Sequence, residues 1–194
     1  MHESNRKFWK YCREKYEEYF YHPSVLEYGS GYVNGSIREY FTDATEYIGV
    51  DWRPGRAVDL VSLAHDVGID HTFSVVASSS MLEHDKHWEA SLNNMVKHMS
   101  PDGIMILTWG ADGCPTHSNN TAPDGQFHML PLINIVDNLF DNRLHIHEIR
   151  YEERSFGGIM RGCVCLVAFK DIHIAMKYDG VIEKLIPGDF VKKK

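Results

Sequence analysis

Residues 25–31, Val25-Leu26-Glu27-Tyr28-Gly29-Ser30-Gly31, constrain this chain more than any other stretch. An apolar run that reads as a buried strand ends in an acid and a Gly-x-Gly turn. It is answered by Ile48-Gly49-Val50-Asp51, a second apolar run that also ends in an acid. Glycines at a strand end let backbone approach a ligand closely, and a carboxylate one strand over can accept hydrogen bonds from a ribose. Taken singly, each feature also has a plain structural meaning: a tight turn for the glycines, a helix cap for Asp51.

The rest of the chain supplies the sheet that this turn needs. Residues 4–21 carry Phe8, Tyr11, Cys12, Tyr16, Tyr19 and Phe20 at helical spacing, so 1–22 is predicted as an N-terminal helix, stopped by His22-Pro23. Strands are predicted over 24–28, 46–51, 58–63, 73–78 and 104–109, and helices over 36–41, 88–99 and 130–140. Ile104 to Trp109 has almost no polar interruption, as expected of a strand covered by helices on both faces. The last two strands, 144–151 and 163–169, are joined by Ser155-Phe156-Gly157-Gly158, too short for a crossover helix, so they must be antiparallel. The predicted fold is α/β: a doubly wound, Rossmann-like, seven-stranded sheet, mostly parallel with an antiparallel C-terminal strand, and helices on both faces. One domain over 1–194 suits this length, with a core at 24–171 and an extension at 172–194. Val181-Ile182 and Leu185-Ile186 give that extension something to pack, and a second copy of the chain is one surface open to it. Ligands in such sheets sit beyond the carboxyl ends of the strands, where Gly29, Asp51, Leu63, Ser79 and Trp109 converge.

Composition narrows the partners. A net charge of -7, with Lys192-Lys193-Lys194 as the basic cluster, argues against a surface for duplex nucleic acid. Cys12, Cys114, Cys163 and Cys165 contain no C-x-x-C pair, and the twelve histidines are scattered without a ligand-like spacing, so no metal is expected. No apolar run approaches the ~20 residues of a membrane span. The opening residues lack a signal-peptide pattern, which makes the cytoplasm the expected compartment. Residues 110–128 are rich in Gly, Pro, Asn, Asp and Thr, and a loop of that length in a compact domain is expected to be an active-site lid.

The ordered set of motifs resembles class I S-adenosylmethionine-dependent methyltransferases, the type-11 set in particular. Val25–Gly31 is similar to their first motif and Tyr47-Ile48-Gly49-Val50-Asp51 to their second. Val58-Asp59-Leu60-Val61 and Phe73-Ser74-Val75-Val76 with Met81-Leu82-Glu83-His84 resemble the third and fourth. Met99-Ser100-Pro101-Asp102-Gly103-Ile104 is similar to the turn before the fifth strand. The third glycine of the first motif is displaced to Gly35, behind Tyr32-Val33-Asn34, so either the loop is one residue longer or Asn34 takes the left-handed conformation.

The resemblance implies S-adenosyl-L-methionine as cofactor and S-adenosyl-L-homocysteine as product. It implies that Gly29, Ser30 and Gly31 lie against methionine and ribose, that Glu27 orients the loop, and that Asp51 binds the ribose. Trp52 would pack on adenine, Leu63, Ala64 and His65 would line its edge, and Ser79 and Ser80 would lie under the sulfonium. Leu63 stands where many relatives carry an acid. His84, His117 and His128 are the candidates for a general base, since histidine titrates near neutral pH. Tyr16, Tyr19, Trp109 and Phe127, with the region from Arg154 to Arg161, are expected to wall a pocket for a small or medium organic acceptor methylated at oxygen or nitrogen. Two alternatives stay open: a catalytically silent partner module, and a nucleic-acid or protein methyltransferase. Ser78-Ser79-Ser80-Met81 lacks the base-gripping [DNS]-P-P-[YFW] pattern of the latter.

Overall fold

The structure, a computed structural model, describes residues 3–33, 35–110, 123, 130–156 and 159–182. Among the described residues eight strands form one sheet: β1 (Ser24–Tyr28), β2 (Glu46–Asp51), β3 (Leu60–Val61), β4 (Phe73–Ser79), β5 (Met99–Gly110), β6 (His145–Phe156), β7 (Ile159–Phe169) and β8 (Val181–Ile182). Their order is β3-β2-β1-β4-β5-β7-β6-β8. β1 to β5 pair in parallel, and β7 runs antiparallel to both neighbours. The seven strands and the reversed one near the C-terminus are those expected. The eighth, Val181–Ile182, pairs in parallel with β6. That part of the C-terminal extension therefore packs on its own chain.

Among the described residues the sheet is accompanied by the α-helices α1 (Glu3–Lys15), α2 (Trp88–Lys97), α3 (Leu132–Asp141) and the one-turn α4 (Ile172–Ala175). The strand period of two sends alternate side chains of β5 and β7 into two separate cores. Met105, Leu107, Trp109, Val164, Leu166 and Ala168 pack with α2 and α3. Ile104, Ile106, Cys165, Val167 and Phe169 pack with α1 and α4. Burial on both faces explains why these strands read as continuous apolar runs.

The N-terminal helix is shorter than expected. α1 ends at Lys15, and Glu17–Tyr19 adds a single 3-10 turn. The helix expected over 36–41 is also only a 3-10 turn, Ile37–Tyr40, capped by the Ser36 hydroxyl, which accepts the Arg38 N–H at 3.2 Å. Six residues are too few to sustain an α-helix unaided. α1 instead covers this face, inserting Phe8, Trp9 and Cys12, with Tyr16 just beyond its end. The expected strand 58–63 shrinks to two paired residues at the sheet edge.

α1 is also pinned by charge. Glu148 of β6 is fully buried. Its carboxylate accepts hydrogen bonds from Tyr11 Oη at 2.8 Å, Tyr16 Oη at 2.5 Å, Arg150 Nε at 3.1 Å and the Lys15 ammonium. Burial alone would raise this carboxyl, but the bonds from Lys15, Tyr16, Tyr11 and Arg150 outweigh it and hold it below the ordinary range. Removing one partner of such a cluster strands the others. Glu148→Ala is expected to cost about 3–5 kcal/mol, measured by urea unfolding, whereas an exposed pair such as Lys10–Glu14 contributes about 0.3–0.5 kcal/mol.

Candidate functional site

The site is built at the carboxyl edge of the parallel strands, on either side of the β1–β4 pair. The chain leaves β1 through Gly29 (φ +79°), a conformation that side chains rarely adopt. Gly29 and Ser30 both donate their N–H to the Val50 carbonyl, at 2.8 and 2.9 Å. The turn is thereby folded back over the end of β2. A Cβ on Gly29 would stand 2.4 Å from Cβ of Met81, so the loops after β1 and β4 meet at that point.

Gly31 faces Asp51. Its N–H donates to Asp51 Oδ2 at 2.9 Å, and a Cβ there would lie 2.7 Å from the same oxygen. Asp51 Oδ1 accepts the Arg53 N–H at 3.3 Å. A carboxylate has about four lone-pair positions, so acceptor capacity remains. Partial burial raises the Asp51 carboxyl, and the N–H groups of Gly31 and Arg53 oppose the shift. Glu27, the other acid, is 2% exposed and accepts the Tyr47 hydroxyl at 2.6 Å. Burial pushes its carboxyl up to about 7 against the opposing effects of Tyr47 and Arg38. Gly35 has φ +115°, so the displaced glycine does meet a backbone need at 35. Asn34 lies outside the described residues.

Beyond β2, Trp52 is half-buried, with the Arg53 guanidinium 5.3 Å from its ring centroid. Leu63 precedes the 3-10 turn Ala64–Asp66 and is 40% exposed. Asn94 of α2 steadies this loop by donating to the carbonyls of Ala64 at 2.9 Å and Val67 at 3.0 Å. The His65 ring lies 4.6 Å from that of His87. Beyond β4, Ser79 and Ser80 are half-buried at the edge, and Ser80 has φ +58°. His84 ends the 3-10 turn Leu82–His84 that follows.

The structure thus gathers Gly29, Ser30, Gly31, Asp51, Ser79 and Ser80 at one rim, with Leu63, Ala64 and His65 on the loop after β3. His117, His128 and Phe127, with most of 110–128, lie outside the described residues. Both ends of that stretch are tied down. Glu83 Oε1 accepts the Gly110 N–H at 2.9 Å, and Trp109 Nε1 donates to the Leu130 carbonyl at 3.0 Å.

Three expected pocket walls are core residues instead. Trp109 is fully buried among α2 and α3, while Tyr16 and Tyr19 belong to the α1 core. Tyr19 Oη donates to the Asp102 carbonyl, in the turn early in β5 and so at the far end of the sheet. Helical spacing marks a face as buried without saying which end of the sheet it reaches.

Asn5 was legible in the sequence only as a polar residue one turn before Phe8 and Trp9 on the apolar face of α1. It is fully buried against Ser79, Ser80 and Thr108. β6 and β7 also add a wall: four register pairs, Glu153–Gly162 to Phe156–Ile159, run past the level of Gly110. That is an arm of roughly 13 Å beyond the rim. A groove of about 1100 Å³ on the outer flank of α1, lined by Arg6, Lys10, Glu14, Tyr21 and Asp43 among others, takes in none of the rim residues. Among the described residues no group of His, Cys, Asp and Glu is placed to hold a metal, and no helix is long and apolar enough to cross a membrane.

No family model and no curated protein matches the sequence. The fold has clear likenesses among solved structures. An S-adenosylmethionine-dependent methyltransferase from Clostridium acetobutylicum superposes with a TM-score of 0.65 at 9% identity, over 84% of this chain and 91% of that one. The N-methyltransferase NodS from Bradyrhizobium japonicum gives 0.63 at 14%, over 84% and 94%. Magnesium protoporphyrin IX methyltransferase from Synechocystis, solved with bound S-adenosylmethionine, gives 0.59 at 13%, over 86% and 77%. The chain has the Rossmann-like fold of class I S-adenosylmethionine-dependent methyltransferases.

Glu27 yields a pH test. Its carboxyl titrates near 7 when folded and near 4.5 when free, so its contribution to stability is complete below about pH 4.5 and is lost as pH rises through about 7. Between those limits wild type is expected to lose stability relative to Glu27→Gln by about 1.4 kcal/mol per pH unit. Urea titrations at pH 5, 6, 7 and 8 measure it; parallel curves would contradict it.

Proposed function

We propose that this chain is an S-adenosylmethionine-dependent methyltransferase that methylates an oxygen or nitrogen of a small or medium organic acceptor. The observation that carries this reading is the cradle of Gly29 and Gly31 against Asp51. A Cβ at either glycine would collide, and the carboxylate beside them keeps acceptor capacity at the rim.

The residues present fit the cofactor. Asp51 suits a ribose diol, because its oxygens accept and Gly31 and Arg53 hold it in place. Val61 and Leu63, 53% and 40% exposed at the end of β3, offer an apolar surface of the kind a purine covers. That surface replaces the missing acid at position 63. Ser30 Oγ is buried without a hydrogen-bond partner at the turn, which leaves a polar group for a ligand to satisfy. The Asp51 carboxylate, partly exposed at the rim, favours a cationic ligand. The bound cofactor supplies a methyl group activated by its sulfonium, the electrophilic part of the chemistry.

The chain's own task is then alignment and exclusion of water, and orientation alone can contribute about 7–11 kcal/mol. The β6–β7 arm, which runs past the level of Gly110, and the end of β5 held by Glu83 flank the space for the acceptor. Removal of a proton from the acceptor falls to a histidine nitrogen, with His84 on the turn after β4 and His117 and His128 between Gly110 and Leu130 as candidates.

S-adenosyl-L-homocysteine at about a hundredfold over its Kd is expected to raise the melting temperature by about 5–10 °C. Asp51→Ala should abolish most of that rise. No rise in wild type would overturn the reading. A rise without methyl transfer to any of a panel of radiolabel-trapped acceptors would favour a silent partner module.

A further inference from the structure

The rim holds a buried polar cluster that the cofactor cradle does not account for. Asn5, in the first turn of α1, is fully buried. Its Nδ2 lies 3.1 Å from Ser80 Oγ, 3.2 Å from Thr108 Oγ1 and 3.4 Å from Ser79 Oγ. Cys163 Sγ, at the start of the part of β7 that pairs with β5, donates to its Oδ1 at 3.3 Å. Ser79 Oγ and Thr108 Oγ1 are themselves 3.1 Å apart. One amide therefore joins three neighbouring strands, β4, β5 and β7, to the N-terminal helix.

Attachment of the helix does not require this. Phe8, Trp9, Cys12 and Tyr16 bury its apolar face, and Lys15, Tyr11 and Tyr16 tie it to Glu148. A buried amide is a costly anchor compared with an apolar side chain unless its hydrogen bonds serve another purpose. Here they converge on Ser80, which holds a left-handed φ of +58° that L residues seldom adopt. Two bonds keep it there: the Ser80 N–H to the Thr108 carbonyl at 2.7 Å, and Asn5 to the hydroxyl. Strained residues persist where the surroundings over-determine them, and they cluster at binding sites. Ser80 is half-buried at the rim, and Met81, the next residue, is the one pressed against Gly29.

We propose that Asn5 is a positioning residue of the methyl-donor site: it locks Ser80 in the left-handed conformation, so the rim of β4 is in place only when the N-terminal helix is docked. This rests on the reading of the rim as a cofactor site. It makes α1 part of that site without touching the ligand itself.

The test is a double-mutant cycle read by isothermal titration of S-adenosyl-L-homocysteine into the full chain. Asn5→Ala is expected to weaken binding about tenfold. In a Ser80→Gly background the same change should cost about twofold or less, because glycine takes positive φ unaided. Asn5→Ala that melts lower but binds like wild type would make Asn5 a packing residue and overturn the proposal. Equal losses in both backgrounds would also overturn it, since Ser80 would not be the route. Should Asn5→Ala fail to fold, Thr108→Val removes one hydroxyl of the cluster at nearly constant volume. Weaker binding then supports the tie, and unchanged affinity overturns it. Failure of the underlying reading is seen separately, as no heat of binding in wild type.

Discussion

β1 pairs in parallel with β4, and that pairing sets where each rim residue stands. From β1 the chain winds outward through β2 to β3, and from β4 it winds the other way through β5. The loops leaving β1 and β4 therefore turn to opposite sides at the carboxyl edge, where sheets of this kind bind ligands. They touch at one point, where Met81 leaves no room for a Cβ on Gly29. Gly29, Gly31, Asp51, Ser79 and Ser80 all owe their positions to that reversal.

Two kinds of buried polar contact then serve different ends. The Glu148 cluster lies on β6 and secures α1 by charge and tyrosine hydroxyls. The Asn5 cluster lies at the opposite, N-terminal end of the same helix, among strand ends. With two attachments α1 is fixed both in angle and along its axis. The connection from β1 to β2 carries only the 3-10 turn Ile37–Tyr40 and that from β2 to β3 no helix, and α1 supplies the cover that crossover helices would otherwise provide on that face. The acids of the rim are similarly divided. Asp51 is steadied by backbone N–H groups and faces partly outward, whereas Glu27 is sealed in with Tyr47 and titrates near neutrality.

Much of this was readable along the chain. Apolar runs between glycine, proline and aspartate turns located seven strands, and the short 155–158 connection required the antiparallel end. The residues at strand ends could be placed at one rim because a parallel sheet puts all its carboxyl ends on one edge. The errors arose where local pattern is blind to depth. Tyr16, Tyr19 and Trp109 were expected at the pocket because aromatic side chains suit either a wall or a core, and periodicity does not distinguish them. Asn5 carries no such signal in the sequence, because a polar residue at the start of a helix usually faces water or caps it.

Seven of the strands and the glycine–carboxylate pair are legible along the chain, because strand period, backbone freedom at glycine and apolar run length are local properties. Tertiary structure alone decided that Asn5 meets Ser80, that Glu148 is the counter-ion of Lys15 and that the β6–β7 arm overhangs the rim. Those contacts join residues more than seventy positions apart or depend on register, and only the packing of α1 against the finished sheet brings them within bonding distance.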